Sequence, residues 1–229
     1  MPHDPREYAR FLAELVAYHE EGYAGPGQVH ALRVEELAAN LIEGLREHTA
    51  LPEDAGIWAP AMAVHDLGKL RIAAALLRKP VPLQPEEIAL VRQHTSYGEQ
   101  ALRRLAERWR PLDPPASHFW TVAAVIAGGH HERTDGEGYP RGLRGPQVPL
   151  VLRLARAVDV YDALTSRRAY REALAPARAL KLMRSQIGGF DEAILEAIER
   201  LHRLPLTSRS KRLGLEPEPV TPQVAPASS

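Results

Sequence analysis

Along nearly the whole chain, apolar residues recur at three- and four-residue steps, and the alternating, β-branched runs that strands require are missing. That period admits helices and little else, so an all-α fold is predicted. A first helix is expected over residues 4–20, with Tyr8, Phe11, Leu12 and Leu15 on one face. A second begins near Gln28 and carries the stripe Val34, Leu37, Leu41 and Leu45, onto which His30 also falls. A third opens near Pro60 and runs through Met62, Val64, His65 and Asp66 to Gly68. After a proline-broken connector over 76–83, Pro85 starts another helix with Glu86 and Glu87 at its positive end, and Leu90 and His94 one turn apart on it. Ser117 is placed to cap the next, in which Val122, Ile126 and His130 align at four-residue spacing. Residues 149–164 put Leu152, Ala155 and Asp159 on a shared face, and helices over 177–187 and 191–203 complete the core.

With 229 residues the chain suffices for one substantial core with short appendages. The expected organisation is a helical extension over 1–24, a catalytic domain over 25–213 and a disordered Pro-rich tail over 214–229. No apolar run is long enough to span a bilayer, and the N-terminus lacks the apolar stretch and cleavage site of a secretory signal, so a cytoplasmic chain without a membrane segment is the expectation. Lys plus Arg equal Asp plus Glu at 29 each, which leaves no global field to draw in DNA or an anionic membrane. There are no cysteines, so any metal must be held by His, Asp or Glu.

Chemistry is concentrated in residues 128–143, GGHHERTDGEGYPRGL, where adjacent histidines lead into a glycine-punctuated acidic turn closing on Tyr139 and Pro140. A carboxylate directed into a helical core costs several kcal/mol unless it is paired or binds a cation. The helical pattern directs His30, His65, Asp66, His94, His130, His131 and Asp159 inward from separate elements. Imidazole and carboxylate are the ligands of first-row divalent metals, and this set suits two ions better than one.

The blocks carrying these residues resemble a known family. His65-Asp66-Leu67-Gly68-Lys69 looks like the HD signature of metal-dependent phosphohydrolases, and Asp135-Gly136-Glu137-Gly138-Tyr139-Pro140 looks like the second signature of the HD-GYP subfamily. Further blocks agree in order over about residues 28–198: His30 to Val34, Lys79-Pro80 leading to Pro85-Glu86-Glu87, His94 followed by Gly98, Asp159 to Ser166, and Gly189-Phe190-Asp191. The resemblance implies an HD-domain helical bundle around a buried di-metal centre. Its implied ligands are His30, His65, Asp66, His94, His130, His131 and Asp159, with Asp66 bridging two divalent ions, iron or manganese by expectation. It implies hydrolysis of cyclic di-GMP to linear pGpG, and GMP after a second cut. Asp66 and Lys69 are the implied catalytic residues, with Lys69 and Tyr139 at the scissile phosphate and Arg168 and Arg171 on the phosphates or guanines, where guanidinium grips in a bidentate way. Arg153 and Arg156 read instead as an ordinary solvated helix face.

Two departures matter. Relatives with three metals carry a carboxylate four residues before the first ligand histidine, where this chain has Pro26, so two ions are expected; Glu20 and Glu21 are the nearest acids upstream. Ala169 stands where the resembling motif has proline. Most relatives carry a sensory or receiver domain, so regulatory input is expected from a separate signalling protein or from substrate level, and a homodimer stays open. Two other functions remain as alternatives: an HD-type phosphohydrolase of another cyclic dinucleotide or nucleotide, and a non-catalytic signalling module.

Overall fold

The structure is a computed structural model that describes residues 4–21, 30–47, 49–166, 172–186 and 188–203. The described residues form helices α1 (Pro5–Glu21), α2 (His30–Arg46), α3 (Trp58–Met62), α4 (Ala74–Leu77), α5 (Pro85–Arg92), α6 (His94–Trp109), α7 (Pro114–Gly129), α8 (Leu150–Thr165), α9 (Pro176–Arg184) and α10 (Glu192–Arg203). Among them there is no strand; the sole β-type pairing is an isolated bridge between Asp135 and Arg144. The all-α reading therefore stands, and among the described residues no helix is long and apolar enough to cross a membrane. The tail expected over 214–229, residues 22–29 with Pro26, and residues 167–171 with Arg168 and Arg171 lie outside the described residues.

The core forms where α2, α3, α7 and α8 converge, with α6 laid along α7. Leu41, Met62, Leu102, Trp120, Ile126 and Leu154 are fully buried there. Each such side chain contributes roughly 1.5–3 kcal/mol by leaving water, before the entropy of ordering it is subtracted.

Several local expectations are corrected. On α1 the buried residues are Ala9, Ala13 and Val16, while Tyr8, Phe11 and Leu15 are exposed and only Leu12 of the expected face packs on the core. Small side chains let α1 approach the domain closely, which turns its bulky residues outward. The helix expected through His65 and Asp66 ends at Met62; the pair sits in a turn that leads into a 3-10 segment, Leu67–Arg71. Leu90 and His94 do not share a helix, because the chain breaks at Gln93, leaving Leu90 exposed and His94 buried as the first residue of α6. The cap of α7 is Asp113, whose Oδ1 accepts from Ala116 N at 2.9 Å, while Ser117 Oγ donates to Ala106 O at 2.8 Å and ties α7 to α6. Helices α9 and α10 are each slightly shorter than expected.

The turn after Asp66 reaches α6 at a point where only glycine fits. A Cβ on Gly68 would lie 1.9 Å from the His94 carbonyl oxygen and 2.6 Å from Gly98 N. That close approach is what brings the His65-Asp66 turn and His94 to one place.

Candidate metal centre

Four elements and one loop deliver the predicted residues to a common point. His30 opens α2, His65 and Asp66 come from the turn after α3, His94 opens α6, His130 caps the end of α7 with His131 beside it, and Asp159 projects from α8. The imidazoles form a continuous run: ring centroids are 5.4 Å apart for His30 and His65, 4.9 Å for His65 and His130, 5.4 Å for His94 and His130, and 4.0 Å for His130 and His131. Three groups could each hold an ion: His94, His130 and His131; His30, His65 and Asp159; and His65, Asp66 and His130. Within each, the ligand atoms lie within 4.8 Å of one another. His65 and His130 belong to more than one group, so the three merge into one centre.

The tautomers follow from backbone contacts. His65 Nδ1 meets Met62 O at 2.8 Å, His94 Nδ1 meets Val91 O at 2.7 Å, and His130 Nδ1 meets Ala127 O at 3.1 Å. A carbonyl oxygen only accepts, so the proton sits on Nδ1; His94 and His130, held neutral, turn a bare Nε2 lone pair toward the centre, and His65 does so whenever its Nε2 gives up its proton. His94 Nε2 and His130 Nε2 accordingly face each other at 3.4 Å. Asp66 Oδ1 lies 3.3 Å from His94 Nε2 and 3.7 Å from His130 Nε2, and Oδ2 lies 3.2 Å from His65 Nε2. Yet His65 Nε2 and Asp66 Oδ1 are buried without a hydrogen-bond partner. Orphaned polar atoms of that kind are costly in a protein interior, and a cation among them removes the cost. The donor set, neutral imidazole plus carboxylate, suits a divalent first-row metal.

Protonation agrees with such a site. Burial holds His94 below its ordinary pKa, holds His130 well below it and pushes His131 down to about 4, so these rings are neutral. Burial opposes ionisation of Asp66, but Lys69 and the neighbouring histidines hold it well below the usual carboxylate range; His30 does the same for Asp159. His30 differs. Burial disfavours its charge, but Asp159 at 3.1 Å on Nε2 and Asp162 at 2.6 Å on Nδ1 outweigh it and raise its pKa to about 9. A cation entering at His30 must displace a proton.

Around this centre, Lys69 Nζ lies 2.5 Å from Asp66 Oδ2. Tyr139 stacks on His131, with centroids 4.7 Å apart and planes 25° apart, and burial raises its phenol pKa, leaving an intact O–H at neutral pH. The Arg92 guanidinium carbon is 4.7 Å from the Tyr139 ring centre, and both residues line an open groove of about 510 Å³ with Ile88, Ala89, Ser96 and Pro140. Arg153 and Arg156 are not a solvated face: Arg153 reaches Asp191 Oδ2 at 2.5 Å, and Arg156 donates to Gly189 O at 3.1 Å while covering the Phe190 ring. They fasten α8 to the α9–α10 connection.

Three residues were not assigned a role from sequence. Asp162 supports His30 and is itself held by Arg33, with Nε at 2.8 Å and Nη2 at 2.9 Å. Its position three residues after Asp159, on the same helical face, was the available signal. Glu132 is fully buried and accepts from Arg141 N at 2.6 Å and Leu143 N at 2.9 Å, closing the loop that presents Tyr139. Gly138 permits this fold, since a Cβ there would lie 2.4 Å from Arg133 N. No periodic signal could have identified Glu132, because its partners are backbone groups of a non-helical loop.

Comparison with known proteins follows the same lines. Residues 29–194 match the model of the HD domain family. The chain is 39% identical over 138 residues to a probable cyclic di-GMP phosphodiesterase of Vibrio cholerae serotype O1, covering 60% of this chain and 30% of that protein. It is 34% identical over 200 residues to the cyclic di-GMP phosphodiesterase response regulator RpfG of Xanthomonas campestris pv. campestris, covering 85% of this chain and 47% of RpfG. A 3'3'-cGAMP-specific phosphodiesterase 3 of Vibrio cholerae is 39% identical over 132 residues, covering 57% of this chain and 26% of that protein. The chain thus spans less than half the length of these curated relatives. In fold it is similar to Bd1817, a HDG"Y"P protein from Bdellovibrio bacteriovorus, with a TM-score of 0.57 at 20% identity over 87% of this chain and 61% of that one.

Proposed function

This chain belongs to the HD-domain family, and on that premise we propose that it is of the HD-GYP branch and a metal-dependent phosphodiesterase of cyclic di-GMP that produces linear pGpG and, by a second cut, GMP. The observation that carries the reading is the pair of orphaned buried atoms, His65 Nε2 and Asp66 Oδ1, at the meeting point of the histidine rings and ionised carboxylates. Two divalent ions, iron or manganese, are the proposed occupants, and His30, His65, Asp66, His94, His130, His131 and Asp159 would hold them. When bound, they supply Lewis acidity toward a phosphodiester and lower the pKa of a coordinated water.

The chain's own groups supply the remainder. Lys69 places an ammonium beside Asp66, where it offsets negative charge gathering on a phosphoryl group in the transition state. Tyr139 offers its O–H beside the centre, its ring fixed by His131 and Arg92. The groove along Arg92, Ser96 and Pro140 adjoins Tyr139 and has room for the part of a cyclic dinucleotide outside the centre. Arg168 and Arg171, outside the described residues, are proposed to contact the distal phosphate or the bases. Helix α1 and the Pro-rich tail are proposed to flank a single catalytic domain.

The test is incubation of anaerobically metallated protein with cyclic di-GMP, with product separation by chromatography. Loss of turnover with chelator and its return with manganese or iron are expected; inert protein with full metal content would sink the catalytic reading. A second reading, preference for 3'3'-cGAMP, is favoured by the 39% identity to a phosphodiesterase named for that substrate. The ratio of kcat/KM for the two cyclic dinucleotides separates them.

A further inference from the structure

Lys69 has two carboxylate partners, and they come from different parts of the chain. Its Nζ is 2.5 Å from Asp66 Oδ2 and 2.7 Å from Glu20 Oε1. Glu20 lies in the last turn of α1, ahead of the residues 29–194 that match the HD-domain family. It is firmly placed. Arg78 donates from Nε to Glu20 O at 2.9 Å and from Nη2 to His19 O at 2.7 Å, covering carbonyls that the helix end leaves open. His19 Nε2 meets Ile72 O at 2.8 Å, joining the same turn to the segment that follows Lys69. At the other end of α1, Arg10 pairs with Glu35 of α2 at 2.8 Å. Glu20, His30 and Asp66 also line one small cavity of about 10 Å³, so Glu20 forms part of the wall of the centre.

One ammonium with two carboxylates looks over-supplied until the demands on Asp66 are counted. In the reading above, on which this inference rests, Asp66 also serves metal ions. Its charge is then shared with cations, and Lys69 is left beside positive charge with one partner fewer. A half-buried ammonium in that position needs a second anion to stay there, or it moves toward solvent. We propose that Glu20 is a positioning residue, delivered by α1 to hold the Lys69 ammonium at the edge of the centre once Asp66 is engaged by metal, and so to keep it aimed where a phosphodiester would lie. The lysine of the HD signature is thereby made dependent on a helix outside the family-defining region.

The test is a double-mutant cycle with Glu20→Gln and Lys69→Met in the full chain, read first by thermal melting. With manganese bound, the two substitutions should be non-additive, and the coupling should be larger than in metal-free protein, where Asp66 still serves the lysine. Glu20→Gln should retain the full metal content. In turnover of cyclic di-GMP it should lower kcat about tenfold with KM little changed, add nothing in the Lys69→Met background, and be partly rescued by Glu20→Asp. If Lys69→Met does not fold, Lys69→Gln replaces it in the cycle. Additive effects on melting and on kcat would overturn the proposal, and loss of one metal equivalent in Glu20→Gln would make Glu20 a ligand instead. A wild-type protein that binds metal but turns over no cyclic dinucleotide would sink the phosphodiesterase reading, while the melting cycle would still decide whether Glu20 holds Lys69.

Discussion

His30 Nδ1 lies 2.6 Å from Asp162 Oδ2, on the far side of the ring from the Nε2 that faces Asp159. A carboxylate behind a ligand imidazole fixes its orientation and raises its basicity, and Arg33 in turn fixes the carboxylate with two hydrogen bonds. Asp162→Asn should therefore weaken metal binding at His30 by roughly 10–100-fold while the fold is kept. Competition titration with a metal-sensitive chelating dye measures this; unchanged affinity would show that Asp162 serves only Arg33.

Metal uptake should be linked to protons with a definite sign. In the metal-free protein His30 has a pKa near 9, above its ordinary value, so its pairing with Asp159 and Asp162 stabilises the fold fully below about pH 6.5 and is lost as pH rises through 9. Metal binding needs the neutral ring, so affinity at this position should rise by roughly tenfold per pH unit between 7 and 9 and then level off. Calorimetry in buffers of different ionisation enthalpy would detect the released proton. Affinity that is flat over that window contradicts the assignment.

The opposite sign holds for His131, whose pKa burial lowers to about 4. Its neutral state contributes stability that is present above about pH 6.5 and is lost as pH falls toward 4, because the unfolded chain takes up the proton first. Protons also compete with metal for every ligand histidine as the solution acidifies. The metallated protein should thus show a melting temperature that falls ever more steeply below about pH 6. A flat profile would disprove the coupling.

Asp66→Ala should be the most damaging single ligand change. Its oxygens lie within 3.7 Å of Nε2 of His65, His94 and His130, so its loss strips charge from the middle of the centre. Most metal and all turnover should go, as elemental analysis and a product assay would show. Lys69→Ala should instead keep metal and lower kcat, whereas Arg168→Ala and Arg171→Ala should mainly raise KM. Full metal content in Asp66→Ala excludes the shared-ligand role.

Glu132→Ala leaves the N–H groups of Arg141 and Leu143 without their buried acceptor. A cost of roughly 1–3 kcal/mol in stability follows for each such orphaned group. The Tyr139 loop should loosen, which amide hydrogen exchange at residues 133–144 reports. Exchange as slow as in wild type would mean that Gly138 and the surrounding packing suffice.

The sequence by itself determined the helical class and pointed to the histidines and aspartates that the structure brings to one point. Apolar period fixes which face of α2, α7 and α8 is buried, and a His or Asp on that face is carried inward with it; His30, His130 and Asp159 were legible for this reason. The His65-Asp66 and Tyr139 motifs were legible as patterns of residue type at fixed spacing. Tertiary structure decided what periodicity cannot encode. Asp66 sits in a turn and His94 at a helix start because Gly68 meets the His94 carbonyl across the fold, a contact between residues far apart in order. The outward face of α1 depended on how closely Ala9 and Ala13 could approach the core, which their own helix does not specify. The partners of Lys69, His30 and Glu132 are likewise set by distance in space. Hydrogen bonds and ion pairs act over about 3 Å, and only the packed chain brings Glu20, Asp162 or the Leu143 amide within that reach.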